Sequence, residues 1–225
     1  MTHLQDALQR LGETLADMAN MVTSQLKKSV CSLIDNDEDL ANEVLHNERR
    51  VNAFELKIDR DCENIFALLT PVAHDMRFVF STLKINSDLE RIGDYAEGIA
   101  NLVILGKKDF DVSLIEQLQI KNMHKTAVSM MEDITTAYME NDSKLARTVY
   151  TRDTELNDIN HDASRIVADY CKNNPDHIPQ ALYLLSIVRK LERVGDHITN
   201  IAEDIIFYKE AKVLKHKQKT NEALD

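Results

Sequence analysis

At 225 residues, 44 % of them apolar, the chain is long enough to bury a sizeable core as one large or two small domains. Its formal net charge of −11 excludes a general nucleic-acid binder, because neutralising phosphates requires a basic face. Five glycines and three prolines are too few to punctuate a sheet, so the composition points to long helices. Cys31, Cys62 and Cys171 are scattered and odd in number, which fits reduced, packed thiols rather than a disulfide framework or a zinc site. The N-terminus carries no apolar leader, and no run approaches the roughly 18 apolar residues of a membrane span. The expectation is a cytoplasmic protein without membrane insertion.

From Leu4 to Ile34, Leu8, Leu11, Leu15, Met18, Val22 and Leu26 recur at helical spacing and predict a long amphipathic helix. Asp35-Asn36-Asp37 breaks it, with Asp37 placed to cap a second helix over 38–69. Thr70-Pro71 is a stop-and-start signal, and a third helix is predicted over 72–105. Gly106-Lys107-Lys108-Asp109 is a polar break near the midpoint and sets the predicted boundary between a first repeat, 1–107, and a second, 108–225. The second repeat reads as helices over 114–138, 144–170 and 179–210, separated by Asn141-Asp142-Ser143 and Asn173-Asn174-Pro175-Asp176. Short connections make neighbouring helices antiparallel, so the predicted fold is all-α, two tandem three-helix bundles. Lys209, Lys212, Lys215, Lys217 and Lys219 make the C-terminus basic, either as a solvated tail or as a contact for an acidic partner.

The two halves are related by an internal repeat. Leu89-Glu90-Arg91-Ile92-Gly93-Asp94 returns 102 positions later as Leu191-Glu192-Arg193-Val194-Gly195-Asp196. On a helix, Glu90 and Asp94 stack at i, i+4, which is mildly unfavourable for like charges, and an interior glycine costs about 1 kcal/mol relative to alanine. Both penalties recur in the second copy, and a hard cation bound by the carboxylates would offset the first. Rotation at 100° per residue puts Asp94, Glu97 and Asn101 near Glu90, opposite the apolar set Ile85, Leu89, Ile92, Ala96, Ile99 and Val103. The carboxylates are therefore expected to face away from the three-helix core, with Arg91 and Arg193 placed to brace them. Glu55 and Asp59 repeat the i, i+4 pairing on the second helix, and four acids converge if helices two and three are neighbours. A solvated acidic face is the competing reading.

Glu43-x-x-His46 and Asp158-x-x-His161 are each half of the pattern used by di-iron carboxylate bundles, which also need two inward glutamates. His74-Asp75 reads as a first-turn polar cluster, and His197 adjoins Asp196. Nothing resembles a phosphate-cradling glycine loop, a nucleophile elbow or a catalytic triad.

The segments Asn86 to Ala96 and Leu191 to Glu203, with Pro71-Val72-Ala73-His74-Asp75-Met76-Arg77, resemble the PhoU family of phosphate regulators across essentially the whole chain. The resemblance implies tandem three-helix bundles and a non-enzymatic adaptor that restrains the phosphate ABC transporter, through its ATPase, and the phosphate sensor histidine kinase. It also implies metal (iron, zinc, manganese or magnesium) at acidic pairs matched here by Glu55/Asp59, Glu90/Asp94 and Glu192/Asp196, and a homodimer. Absence of a membrane span favours a free-standing protein over the related bundles fused to sodium–phosphate cotransporters. The second half departs from the pattern: Asn160 and Ser164 stand where Glu55 and Asp59 would repeat, helix five offering Asp153 and Asn157, and Gly98 stands against Asn200. The alternative from another class is a di-iron oxidase or metal-storage protein.

Overall fold

The computed structural model describes residues 2–107 and 110–213. Eight α-helices carry these residues: α1 (His3–Asp35), α2 (Glu38–Leu68), α3 (His74–Gly106), α4 (Val112–Gln117), α5 (Ile120–Glu140), α6 (Ser143–Arg147), α7 (Val149–Asn173) and α8 (Ile178–Glu210). A 3₁₀ turn over Pro175–His177 leads into α8, and no strand occurs among the described residues. Boundary chemistry explains the breaks. Thr2 and Gln5 form a capping box on α1, Asn36 closes it in the left-handed conformation, and the Asp37 side chain accepts from the Leu40 amide to open α2. The Lys107–Asp109 break falls partly on, and the lysine-rich tail from Lys215 lies wholly among, residues outside those described.

One predicted helix divides. The expected helix over 114–138 is two, α4 and α5, hinged at Gln119, whose φ of 51° is left-handed. A continuous helix would place buried Leu114, Ile115 and Leu118 roughly opposite buried Ile120, Met123 and Ala127. The break turns both apolar faces into the same core. The helix expected over 144–170 has a gentler interruption at Thr148, which keeps helical angles.

α1, α2 and α3 pack on one another, as do α5, α7 and α8, and the two bundles join mainly through α3 against α8. Lys84 pairs with Asp204 at 2.8 Å, Asp88 with His197 at 2.7 Å, and the Lys190 ammonium lies 5.7 Å from the Tyr95 ring centroid. Rising numbers on α3 thus meet falling numbers on α8, so the pair is antiparallel. Adding 102 converts Asp88 into Lys190 and Tyr95 into His197, so the last two contacts occupy equivalent places in the repeat. At one end of the pair, Phe78, Tyr138 and Tyr208 cluster at centroid separations of 5.6–6.4 Å, and Tyr208 donates to the Asn141 side-chain oxygen. The predicted apolar stripe on α3 is buried throughout, and so are its counterparts Ile187, Leu191, Val194, Ile198, Ile201 and Ile205 on α8.

Candidate functional site: two acidic seams

Each bundle has an acidic seam between two of its helices, and a motif glycine opens it. A β-carbon on Gly93 would stand 3.1 Å from Val51 Cγ1 and 3.4 Å from Glu48 Oε2. One on Gly195 would meet Asp153 Oδ1 and Leu156 Cδ1 at 2.7 Å each. The missing side chain lets α2 or α7 approach closely with a carboxylate in the notch. Glu48 therefore answers Asp153, and Val51 answers Leu156: between α2 and α7 the repeat runs at 105 residues, three more than between α3 and α8. On that register Asn160 and Ser164 do replace Glu55 and Asp59.

In the first seam Glu48 is 6 % exposed, its Oε1 has no hydrogen-bond partner, and its Oε2 lies 3.5 Å from Gln25 Nε2. Burial, followed by the charges of Glu97, Asp94 and Glu90, pushes its carboxyl up to about 7. Glu90 is raised for the same leading reason, burial, then by Asp94 and Glu55; Glu55 is raised by burial, Asp59 and Asp94. The structure thus brings together Glu48, Glu55, Glu90, Asp94 and Glu97. Asp59 stands at the edge of the group, where Asn86 donates to its Oδ1 at 2.9 Å and to the Glu55 carbonyl at 3.1 Å. Arg91 braces the seam as expected, 3.5 Å from Glu90 and 3.0 Å from Asp94.

The second seam is poorer. Asp153 is pushed up to about 6 by burial and then by Asp196 and Glu192, and it accepts from Asn157 at 3.0 Å. Glu192 is raised by burial and Asp196. Arg193 reaches Asp196 at 3.2 Å and Glu192 at 3.8 Å, reproducing the first bracing.

One expectation needs correcting. The motif glutamates do not face outward: their side chains are 16 % and 18 % exposed, because α2 and α7 cover them. Helical rotation placed them correctly opposite the apolar stripe but could not say that a neighbouring helix closes over that side. Glu48 escaped sequence reading although it lies seven residues before Glu55 and eleven before Asp59, which is one helical stripe. At Gly98, which stands against Asn200, a β-carbon would lie 2.7 Å from the Lys190 ammonium, the free end of a flexible side chain. His197 is bound to Asp88 rather than left to solvent.

The residues fit a hard cation in chemistry, with clustered carboxylates, a buried carboxylate oxygen lacking a partner and an opened notch. As placed, no three His, Cys, Asp or Glu side chains among the described residues meet at ligand distance. Arg91 contacts one oxygen of each of Glu90 and Asp94. Glu43, His46, Asp158 and His161 are all exposed, so neither di-iron half-motif faces inward.

No helix among the described residues is long and apolar enough to cross a membrane. The family model of the PhoU domain matches twice, over residues 15–103 and 120–205. A phosphate-specific transport system accessory protein PhoU homolog from Aquifex aeolicus is 31 % identical over 209 residues, covering 93 % of this chain and 94 % of its own. The PhoU of Escherichia coli K12 is 29 % identical over 209 residues, covering 93 % and 86 %. Among solved structures, PhoU from Pseudomonas aeruginosa superposes with a TM-score of 0.89 at 29 % identity, over 93 % of this chain and all of that one. The phosphate transport system regulatory protein PhoU from Streptococcus pneumoniae does so at 0.85 and 25 %, over 94 % and 99 %. Matched in both halves, along nearly its whole length and in its architecture, the chain belongs to the PhoU family.

Proposed function

We propose that this chain regulates phosphate uptake and phosphate-starvation signalling as a cytoplasmic, non-catalytic adaptor. Its partners on this reading are the ATPase of the phosphate ABC transporter, which it restrains, and the phosphate sensor histidine kinase, which it quiets. The observation that carries the reading is the end-to-end similarity to proteins named as phosphate-specific transport accessory proteins, in both repeats. The repeats are taken as 1–107 and 108–225, and the working form as a homodimer.

The seams supply the regulatory element. Glu55, Asp59, Glu90 and Asp94, with Glu48 beneath them, would hold a divalent or trivalent ion (iron, zinc, manganese or magnesium). Glu192 and Asp196, with Asp153, would hold another less firmly because fewer acids surround it. A bound cation supplies charge neutralisation, and the chain's own residues do the rest. Glycine notches bring the helices together, Asn86 fixes Asp59, and the arginines hold the carboxylates. The exposed di-iron half-motifs speak against the oxidase reading.

Deleting the gene should derepress phosphate-starvation genes in phosphate-replete medium, and restoring the full chain should repress them. An unaltered response on deletion would overturn the assignment.

A further inference from the structure

Asn86 reaches from α3 to α2 and is only 1 % exposed. Its side-chain amide donates to Asp59 Oδ1 at 2.9 Å and to the Glu55 carbonyl at 3.1 Å, while its own Oδ1 is buried without a hydrogen-bond partner. Burying a carboxamide with one end unsatisfied is unfavourable, so packing alone gives no reason to keep it. The repeat shows that packing does not require it. Adding 102 converts Asn86 into Val188, fully buried at the equivalent place on α8, and adding 105 converts Asp59 into Ser164. Donor and acceptor are lost together in the second copy.

Gln25 stands to Glu48 as Asn86 does to Asp59. It comes from α1, is buried, and places Nε2 3.5 Å from Glu48 Oε2, with its own Oε1 unpartnered. Glu48 Oε1 is left buried and without a partner at the Gly93 notch, 3.5 Å from where a β-carbon on Gly93 would stand. Both helpers are neutral. Arg91 pairs with Glu90 and Asp94, whereas no described lysine, arginine or histidine forms an ion pair with Glu48 or Asp59. An amide orients a carboxylate and leaves its charge uncancelled; a lysine in its place would compete with a cation for that charge.

We infer that Asn86 and Gln25 are the positioning residues of the first seam's cation site. Each holds one oxygen of a seam carboxylate and leaves the other for the ion, and the Asn86–Asp59 pair is one reason this seam is the tighter of the two. The inference rests on the reading of the seams as cation sites, and it adds two uncharged residues that act through a carboxylate. A purely structural Asn86 would instead clamp α3 to α2 through the Glu55 carbonyl, a bond in which Asp59 takes no part.

The test is calorimetric titration of manganese into the metal-stripped full chain, for wild type, Asn86→Val, Asp59→Ser, the double variant and Gln25→Leu. Valine is what the second repeat carries at the place of Asn86, so the fold accepts it there, and urea unfolding in chelator checks every variant. Asn86→Val and Gln25→Leu should each weaken the tighter binding event by about tenfold, the size of one hydrogen bond to a charged group. In the Asp59→Ser background, Asn86→Val should change manganese affinity by no more than about twofold, because the carboxylate it serves is gone. A structural clamp would cost the same affinity in both backgrounds, and that result would overturn the inference. So would unchanged affinity in either Asn86→Val or Gln25→Leu. A wild type that takes up no manganese would bring down the reading of the seams and the inference with it, an outcome distinct from binding that ignores the amides.

Discussion

Replacing Glu48 by glutamine should stabilise the protein, and by an amount that depends on pH. Glu48 is buried with one oxygen lacking a partner, and its carboxyl rises from an ordinary 4.5 to about 7. At 1.36 kcal/mol per tenfold change in proton affinity, ionising it in the folded chain carries a penalty of about 3 kcal/mol. Below pH 4.5 the group is protonated both folded and unfolded, so no penalty applies. Between 4.5 and 7 the folded chain holds the extra proton, and stability falls as pH rises; above 7 the whole penalty is present. Glutamine removes it, and its amide can donate to Gln25 Oε1, which is buried without a partner. Urea unfolding in chelator should therefore show wild type losing about 2–3 kcal/mol more than Glu48→Gln between pH 5 and pH 8. Saturating manganese should flatten the wild-type slope, because a bound cation favours the ionised carboxylates. A wild type as stable at pH 8 as at pH 5 in chelator, or a glutamine variant less stable at pH 8, would refute the reasoning.

The same argument applies to Asp153→Asn at somewhat lower pH, since that carboxyl is pushed up to about 6; unfolding curves at pH 4.5 and 7.5 should converge and diverge respectively. Gly195→Ala should destabilise by about 1–2 kcal/mol, overpacking against buried Leu156 exceeding the helix-propensity gain, while Gly93→Ala, whose added carbon would press on Val51 Cγ1 at 3.1 Å rather than 2.7 Å, should cost less. Paired chemical denaturation of the two variants would show the asymmetry, and equal effects would contradict it. Tyr208→Phe removes the hydroxyl's bond to Asn141 and should lower stability by about 1 kcal/mol, read as a drop in Tm.

The apolar periodicities and the caps made the six long helices legible, and the repeated Glu-Arg-x-Gly-Asp motif made the doubling legible. Gln119 hid the break between α4 and α5, because a left-handed glutamine carries no turn signature and only the opposed apolar faces on its two sides required one. The site was half legible. Rotation about one helix axis puts Glu90, Asp94 and Glu97 on one side, yet which helix covers that side is a matter of packing. Glu48 and Asp153 belong to the seams only because the glycines let α2 and α7 close, and the shift from a 102- to a 105-residue register between helix pairs obscured their equivalence. The bonding of Asp88 to His197 joins residues 109 positions apart and leaves no local trace.

The claim that most needs testing is that the first seam takes a cation and the second takes one less firmly. Calorimetric titration of manganese into metal-stripped protein, for wild type, the Glu90→Gln/Asp94→Asn pair and the Glu192→Gln/Asp196→Asn pair, addresses it directly. The account predicts that the first pair abolishes the tighter binding event and the second pair leaves it intact. Identical titrations for all three proteins would contradict it.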